Sequence, residues 1–430
     1  MRYSALSNND RLDMMKTIGI NSVDEIYLQQ NGILSNSFNL PNHKGELETL
    51  QYISSFAEKN TAFKHIFAGY GCYNHFVPSS VDAIIQRSEF LTSYTPYQPE
   101  VSQGTLQVIF EYQSFICAMT GMDISNASLY DGQTACAEAA LMAFRVKKDR
   151  KKVCIAGLLH PDYEKVLKTY LSNLDAEIVH CDIDNVKITN EYACVITQLP
   201  DFAGNINNLE NIRNICNEND AMMVVVNNEI LAFGMIEPPK YADIICGDAS
   251  SLGIPLSFGG PLLGYFSCRS EFVRQMPGRV CGVTKDANGT RSFVLTLSAR
   301  EQHIRRDKAT SNICSNQGLC ATAFTVHATM LGETGYKNLA LRNHILACKL
   351  YENLTQSGFS VKNNTFFNEF VFECSNAKAV LEYMESQGVL GGVLFSANEI
   401  LVCVTEMNAS ESIAHYCKML VEAQKSKKVA

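Results

Sequence analysis

Lys152–Cys181 reads KVCIAGLLHPDYEKVLKTYLSNLDAEIVHC, and this stretch decides the fold. "KVCIAG" is an apolar strand, "HPDYEKVLKTYLSNL" a helix and "EIVHC" a second strand. A strand, a crossover helix and a second strand form the unit of a parallel sheet. The pattern extends both ways. Upstream, "NASLY" reads as a strand and "DGQTACAEAALMAFRVKK" as a helix capped by Asp131 or Thr134. Downstream come "ACVITQL", a helix near 208–217, then "AMMVVVN", "DIICGD" and "LLGYFS". Strands this apolar are covered on both faces, so 121–267 is expected to form a mostly parallel sheet with right-handed crossovers.

Outside this block the pattern changes. Residues 1–70 read as an irregular helical arm, with helices at 10–18, at "SVDEIYLQ" behind Ser22 and from about Glu46. "LTSYTPYQPEVSQG" is a polar, aromatic loop before a long helix at 105–120. Residues 278–297 read as a hairpin turning at "ANGT", followed by two helices split by "GETG". The last hundred residues alternate short strands and helices, "SVKN", "NEFVFEC", "GVLGGVL" and "EILVCVTE" among them. The expected layout is an arm (1–70), a large α/β domain (71–330) and a small α+β domain (331–430).

The bulk numbers exclude several classes. The 430 residues carry a formal net charge of −8, with 46% apolar and 19% charged residues. That balance argues against nucleic acid as a partner. No apolar run approaches a membrane span, and the N-terminus has no signal-type apolar core, so a cytoplasmic protein is expected. Sixteen scattered cysteines with no CxxC pair read as reduced, mostly buried thiols. The sequence lacks GxxxxGK[ST], GxGxxG after the first strand, HExxH and GxSxG, which removes the common nucleotide, zinc-hydrolase and serine-hydrolase readings.

One stretch carries charge with a purpose. "IRRDKATSN" at 304–312 sets Arg305, Arg306 and Lys308 beside Thr310, Ser311 and Asn312, with a helical pattern opening near Gln317. Cations beside small hydroxyl and amide groups suit a phosphate.

The stretches "HFVPSSVDAIIQRSEFLTSYTPYQPEVSQG", "NASLYDGQTACAEA", "GIPLSFGGPLLGYF", "MPGRVCGVTKDANG" and "REQHIRRDKATSNIC" resemble the glycine decarboxylase family, the P protein of the glycine cleavage system. The resemblance covers nearly the whole chain, at a length matching the first subunit of the split bacterial form. It implies a fold-type I pyridoxal-phosphate-dependent transferase fold and a lysine-bearing second subunit, glycine decarboxylase subunit 2, in a heterodimer or α2β2 tetramer. It also implies a lipoylated H protein that accepts the aminomethyl group once glycine is decarboxylated. The cofactor would be pyridoxal phosphate, bound mainly by the partner.

The resemblance also shows what this chain lacks. The family's Schiff-base lysine belongs after the strand "DIICGD", where this sequence has Ala249, Ser250, Ser251, Leu252 and Gly253. The carboxylate that holds the pyridine nitrogen protonated belongs at the end of "AMMVVV". Asn227 and Asn228 stand there, with Glu229 next. Gly132, Thr134 and His160 are then vestiges of a phosphate cradle and of a ring-stacking histidine. Thr310, Ser311 and Asn312 are expected to reach the partner's phosphate in trans. Tyr94, Tyr97, Gln98, Arg305, Lys308 and His75 are the candidates for substrate or interface contacts, with a structural hydrogen bond as the other reading of His75. No catalytic residue and no metal ligand is expected in this chain. The alternative functions are a catalytically silent scaffold kept for assembly, and a self-sufficient homodimer using an unexpected lysine; the missing site lysine counts against the second.

Overall fold

The computed structural model describes residues 6–27 and 40–426. The chain divides into two compact units after Ala62. In the first, helix α1 (Asn8–Ile18) begins at a reciprocal cap: the Ser7 hydroxyl accepts from Asp10 N, and the Asp10 carboxylate accepts from Ser7 N. Ser22 caps a short 3₁₀ turn at Val23–Ile26, and α2 covers Glu46–Ala57. Leu28 and Gln29, the end of the expected "SVDEIYLQ" helix, lie outside the described residues, as do the last four residues of the basic tail.

The second unit opens with β1 (His65–Ile66), α3 (Ser79–Ile85), α4 (Ser88–Leu91) and α5 (Gln103–Thr120). The alternating block follows: β2 (Ile124–Ser125), α6 (Gly132–Val146), β3 (Lys152–Ala156), α7 (Pro161–Leu171), β4 (Glu177–Cys181), β5 (Tyr192–Gln198), α8 (Glu210–Glu218), β6 (Met222–Asn227), β7 (Ile244–Asp248) and β8 (Gly264–Cys268). These strands form one seven-stranded sheet in the order β2-β8-β7-β6-β5-β3-β4. From β7 to β4 every pairing is parallel, and β8 and β2 extend the edge antiparallel. Side-chain alternation divides the core between the faces. Val224, Val226, Ile244 and Cys246 pack with α6 and α7, whereas Met223, Val225 and Ile245 pack on the opposite face. Each such fully buried aliphatic contributes on the order of 1.5–3 kcal/mol.

After the sheet come the hairpin β9 (Val280–Lys285) and β10 (Arg291–Thr296), then α9 (Gln302–Arg305) and α10 (Gly318–Gln356). The C-terminal part holds β11 (Glu369–Glu373), α11 (Ala377–Ser386), β12 (Val389–Leu390), β13 (Val393–Ser396), β14 (Glu399–Cys403) and α12 (Ser410–Lys425). Its three-stranded antiparallel sheet, β11-β14-β13, packs on α11 and α12 over a separate core that includes Phe370, Phe372 and Tyr416.

Several expected elements differ. "NASLY" is not a strand. β2 ends at Ser125, and only Leu129 bridges back to the sheet, opposite Gly264. The Asn126 side chain accepts from Ser128 N and donates to Pro277 O, and Ser128 stands at φ 105°, so the ladder is interrupted by a turn. "SVKN" makes a single bridge, Val361 opposite Phe372. "GVLGGVL" yields two short strands that pair with different partners. The expected break at "GETG" narrows to one residue, Gly332, at φ 58° and ψ −176° inside α10. A glycine adopts that left-handed value without a Cβ clash.

Candidate functional site

The crevice outside the carboxyl ends of the parallel strands is where open α/β sheets bind ligands. At its phosphate end, α6 begins at Gly132, and the Asp131 side chain accepts from Thr134 N at 2.6 Å. A carboxylate therefore already sits on the amide that a phosphate would use, and its charge opposes an anion. Above Gly132 stands Tyr163 of α7. A Cβ built at Gly132 would lie 1.8 Å from the Tyr163 hydroxyl and 2.9 Å from the Gly247 carbonyl carbon. Tyr163 is buried, and its hydroxyl has no hydrogen-bond partner.

His160 caps α7. Its Nδ1 accepts from Asp162 N, so Nε2 carries the proton and donates to Tyr70 O at 3.2 Å. Burial holds its pKa below the usual histidine value, consistent with a neutral ring. The ring packs edge-on against Tyr70, at 4.4 Å between centroids, and against Phe202, at 5.0 Å. Its neighbours are the chain's own aromatics.

At the strand ends, Asn227 donates to Leu199 O and accepts from the Tyr265 hydroxyl. Glu229 does not replace a carboxylate there. It accepts from Leu231 N at 3.0 Å and from His75 Nε2 at 2.9 Å. Beyond β7, Asp248 accepts from Ser250 N, and no lysine stands among residues 249–253. With Asp131 on the helix terminus, Tyr163 over Gly132, Asn227 at the strand end and no lysine, these residues do not fit pyridoxal phosphate.

His75 occupies an internal ion cluster. Its second nitrogen, Nδ1, donates to Glu406 Oε2 at 2.8 Å, and Glu406 also accepts from Asn343 Nδ2 and Phe76 N. Burial alone would lower the His75 pKa. The two carboxylates outweigh it and raise it to about 10. Burial likewise opposes ionisation of Glu406, yet His75 and the surrounding donors lower its pKa to about 2. The cluster joins the 69–76 turn to the end of β6 and to the C-terminal part. Tyr73 reinforces it by donating to Glu369.

A second hub lies in the turn that leads into β9. Arg279, 3% exposed, donates to Thr95 Oγ1 and the Tyr97 hydroxyl, both at 3.1 Å, and to Ser315 Oγ at 3.4 Å. Its guanidinium also lies over the Tyr97 ring, and Glu301 Oε2 is 3.6 Å away. One arginine thus fixes the "YTPYQPE" loop to the segment that follows α9. Around the anchor the loop is open: Tyr94 is 86% and Tyr97 52% exposed, and Gln98 is exposed.

The cationic stretch continues from that hub. Arg305, Arg306 and Lys308 are exposed, Thr310 and Ser311 are half-buried, and Asn312 is exposed. Thr310 N donates to Arg300 O, which sets the segment's path. Ser311 Oγ accepts from Ile313 N at 3.0 Å and faces the buried Glu138 carboxylate of α6, neither of whose oxygens has a partner within hydrogen-bond distance. Burial raises the pKa of Glu138. Asn312 and Thr134 both approach the Tyr170 hydroxyl. The Thr310 hydroxyl has no partner among the described residues.

Residues 1–420 match the family described as the glycine cleavage system P-protein. The chain belongs to that family. It is 46% identical over 446 residues to a probable glycine dehydrogenase (decarboxylating) subunit 1 of Azorhizobium caulinodans, covering 98% of this chain and 99% of that one. A protein of the same description from Methylocella silvestris is 44% identical, with 98% and 99% covered. A crystal structure of glycine decarboxylase (P-protein) of the glycine cleavage system, in inhibitor-bound form, superposes with a TM-score of 0.91 at 36% identity, covering 98% and 100%. Mouse CSAD in apo form, at 13% identity and a TM-score of 0.65 with 94% and 92% covered, shows the fold alone. The P-protein fold is thus the fold-type I pyridoxal-phosphate fold. Among the described residues, no helix is long and apolar enough to cross a membrane.

Within this P-protein chain the site residues named from sequence fall into three places. Gly132, Thr134 and His160 line a crevice closed by the chain's own side chains. Tyr97 joins the Arg279 hub with His303, whose ring lies 5.8 Å away, and Thr310–Asn312 follow in the same segment. His75 joins neither group, because both its nitrogens are engaged inside the protein. The reading of residues missed Arg279 and Tyr163. Arg279 stood in plain sight in "MPGRV", an arginine in an otherwise small and apolar turn. Tyr163 carried no signal, since a tyrosine on the apolar face of a helix looks like any core residue.

Proposed function

We propose that this chain is the lysine-less subunit 1 of a heteromeric glycine dehydrogenase (decarboxylating). The lysine-bearing subunit 2 holds pyridoxal phosphate and decarboxylates glycine, and the aminomethyl group passes to the lipoyl arm of the H protein. The observation that carries this reading is the pairing of an intact P-protein fold with a crevice shut by Asp131, Tyr163 and Asn227. The chemistry then belongs to the partner. This chain supplies fixed groups that hold and orient what the partner binds, in a heterodimer or α2β2 assembly in the cytoplasm.

The wall it supplies is the segment 305–312 with the loop 92–101. Ser311 is engaged by Ile313 N and turned toward Glu138, so Thr310 is the hydroxyl left for the partner's phosphate. Arg305 and Lys308 add exposed positive charge, and Tyr94, Tyr97 and Gln98 flank the entrance on a loop anchored by Arg279. Thr310→Ala tests the role in the reconstituted complex. The expected result is about tenfold weaker retention of pyridoxal phosphate, the loss of one charge-assisted hydrogen bond, with assembly unchanged by sedimentation. Unchanged retention and activity would leave the chain a scaffold needed only for assembly.

A further inference from the structure

The closed crevice is not solid. Beside it lies a cavity of about 300 Å³, walled mainly by carbon, with Ile66, Ile254, Leu256, Leu262 and Leu390 among its lining residues. Its polar groups include Asp248, Ser250 and Ser251. Asp248 ends β7 and is 5% exposed. One of its oxygens, Oδ1, accepts from Ser250 N, and the other, Oδ2, has no partner. The ionisable groups coupled to it are the carboxylates of Asp131 and Glu229, the phenols of Tyr112, Tyr163 and Tyr265, and the thiols of Cys72 and Cys320. None of them is a cation. A buried carboxylate lacking a positive partner is rare and costs several kcal/mol unless it is protonated.

We propose that this cavity binds a small primary ammonium compound with a short apolar tail, its ammonium on Asp248 and its tail against Ile254, Leu256 and Leu390. The cationic head supplies the positive partner that the Asp248 carboxylate lacks where it lines the cavity, and the tail matches a carbon-lined space. Glycine does not suit the site, because its carboxylate would bring a further negative charge toward Asp248 and Asp131. Burial raises the Asp248 pKa to about 7. Binding of the ammonium to the ionised form therefore expels a proton wherever Asp248 was protonated. Proton balance is closed by release to solvent, with the ligand remaining charged throughout.

The experiment is calorimetric titration of the full-length chain with n-butylamine hydrochloride, butan-1-ol and glycine. The expected result is saturable binding of one butylamine, about tenfold tighter near pH 8 than near pH 6, with close to one proton released at the lower pH. Butanol and glycine show no saturable binding. Asp248→Asn weakens butylamine binding about tenfold or more. Leu256→Trp, at a half-exposed position in the cavity wall, blocks it without touching the carboxylate. Absence of saturable butylamine binding, equal binding of butanol, an affinity independent of pH, or full binding by Leu256→Trp overturns the proposal.

Discussion

His75→Gln removes the cation from the centre of the Glu229–His75–Glu406 cluster and keeps a side chain of similar reach. The magnitude follows from the raised pKa. A histidine at 6.5 in the unfolded chain and about 10 in the folded one binds its proton about 3.5 units more tightly when folded, equivalent to about 4–5 kcal/mol. Linkage fixes the sign. The folded pKa is raised, so this stability is fully present below about pH 6.5 and is lost as pH rises through 10. At about pH 6 the expected contribution is about 4–5 kcal/mol, and at about pH 9 only about 1–2 kcal/mol remains. Glu406, lowered from 4.5 to about 2, has the opposite sign. Its contribution is present above about pH 4.5 and lost as pH falls through 2. The cluster is therefore strongest between about pH 4.5 and 6.5. The assay is urea unfolding of the wild-type chain and His75→Gln near pH 6 and near pH 9, with the transition of the C-terminal part followed separately. Breaking a buried ion pair and leaving its carboxylates uncompensated costs roughly 3–5 kcal/mol, the same range. A difference below about 1 kcal/mol, or one that does not shrink toward alkaline pH, would refute the reasoning.

Arg279→Lys keeps the charge but cannot span Thr95, Tyr97 and Ser315 at once; loop 92–101 is expected to become protease-sensitive and stability to fall by about 2–3 kcal/mol, read by limited proteolysis and melting. Gly132→Ala would drive its methyl group into Tyr163, with an expected loss of about 1–3 kcal/mol in urea unfolding. Tyr163→Phe alone deletes a buried hydroxyl with no partner, so the same assay should find it neutral or more stable by about 1 kcal/mol.

The fold was legible because its determinants are local and repeated. Apolar strands such as Met222–Asn227 and helix starts such as Asp131 and Ser22 declare themselves at short range. The losses that matter were legible too, as a lysine absent after Asp248 and an asparagine at 227. What the sequence hid are pairings across long separations. His75 read equally as a contact residue and as a structural hydrogen bonder because the partners that engage it lie 154 and 331 residues away. "NASLY" read as a strand, whereas the Asn126–Ser128 turn that interrupts it is held by the distant Pro277 carbonyl. Ser311 and Thr310 looked equivalent until Ile313 and Glu138 separated them.

The central claim is that this chain's own crevice is closed to pyridoxal phosphate and that its groups serve the partner's site. The most direct measurement incubates the purified chain with excess pyridoxal phosphate, reduces with borohydride and weighs the intact protein and its peptides. The expected result is no stoichiometric pyridoxyl adduct on this chain, and one on the lysine-bearing subunit when the two are mixed. One pyridoxyl group per chain, on a single lysine of this subunit, would contradict it.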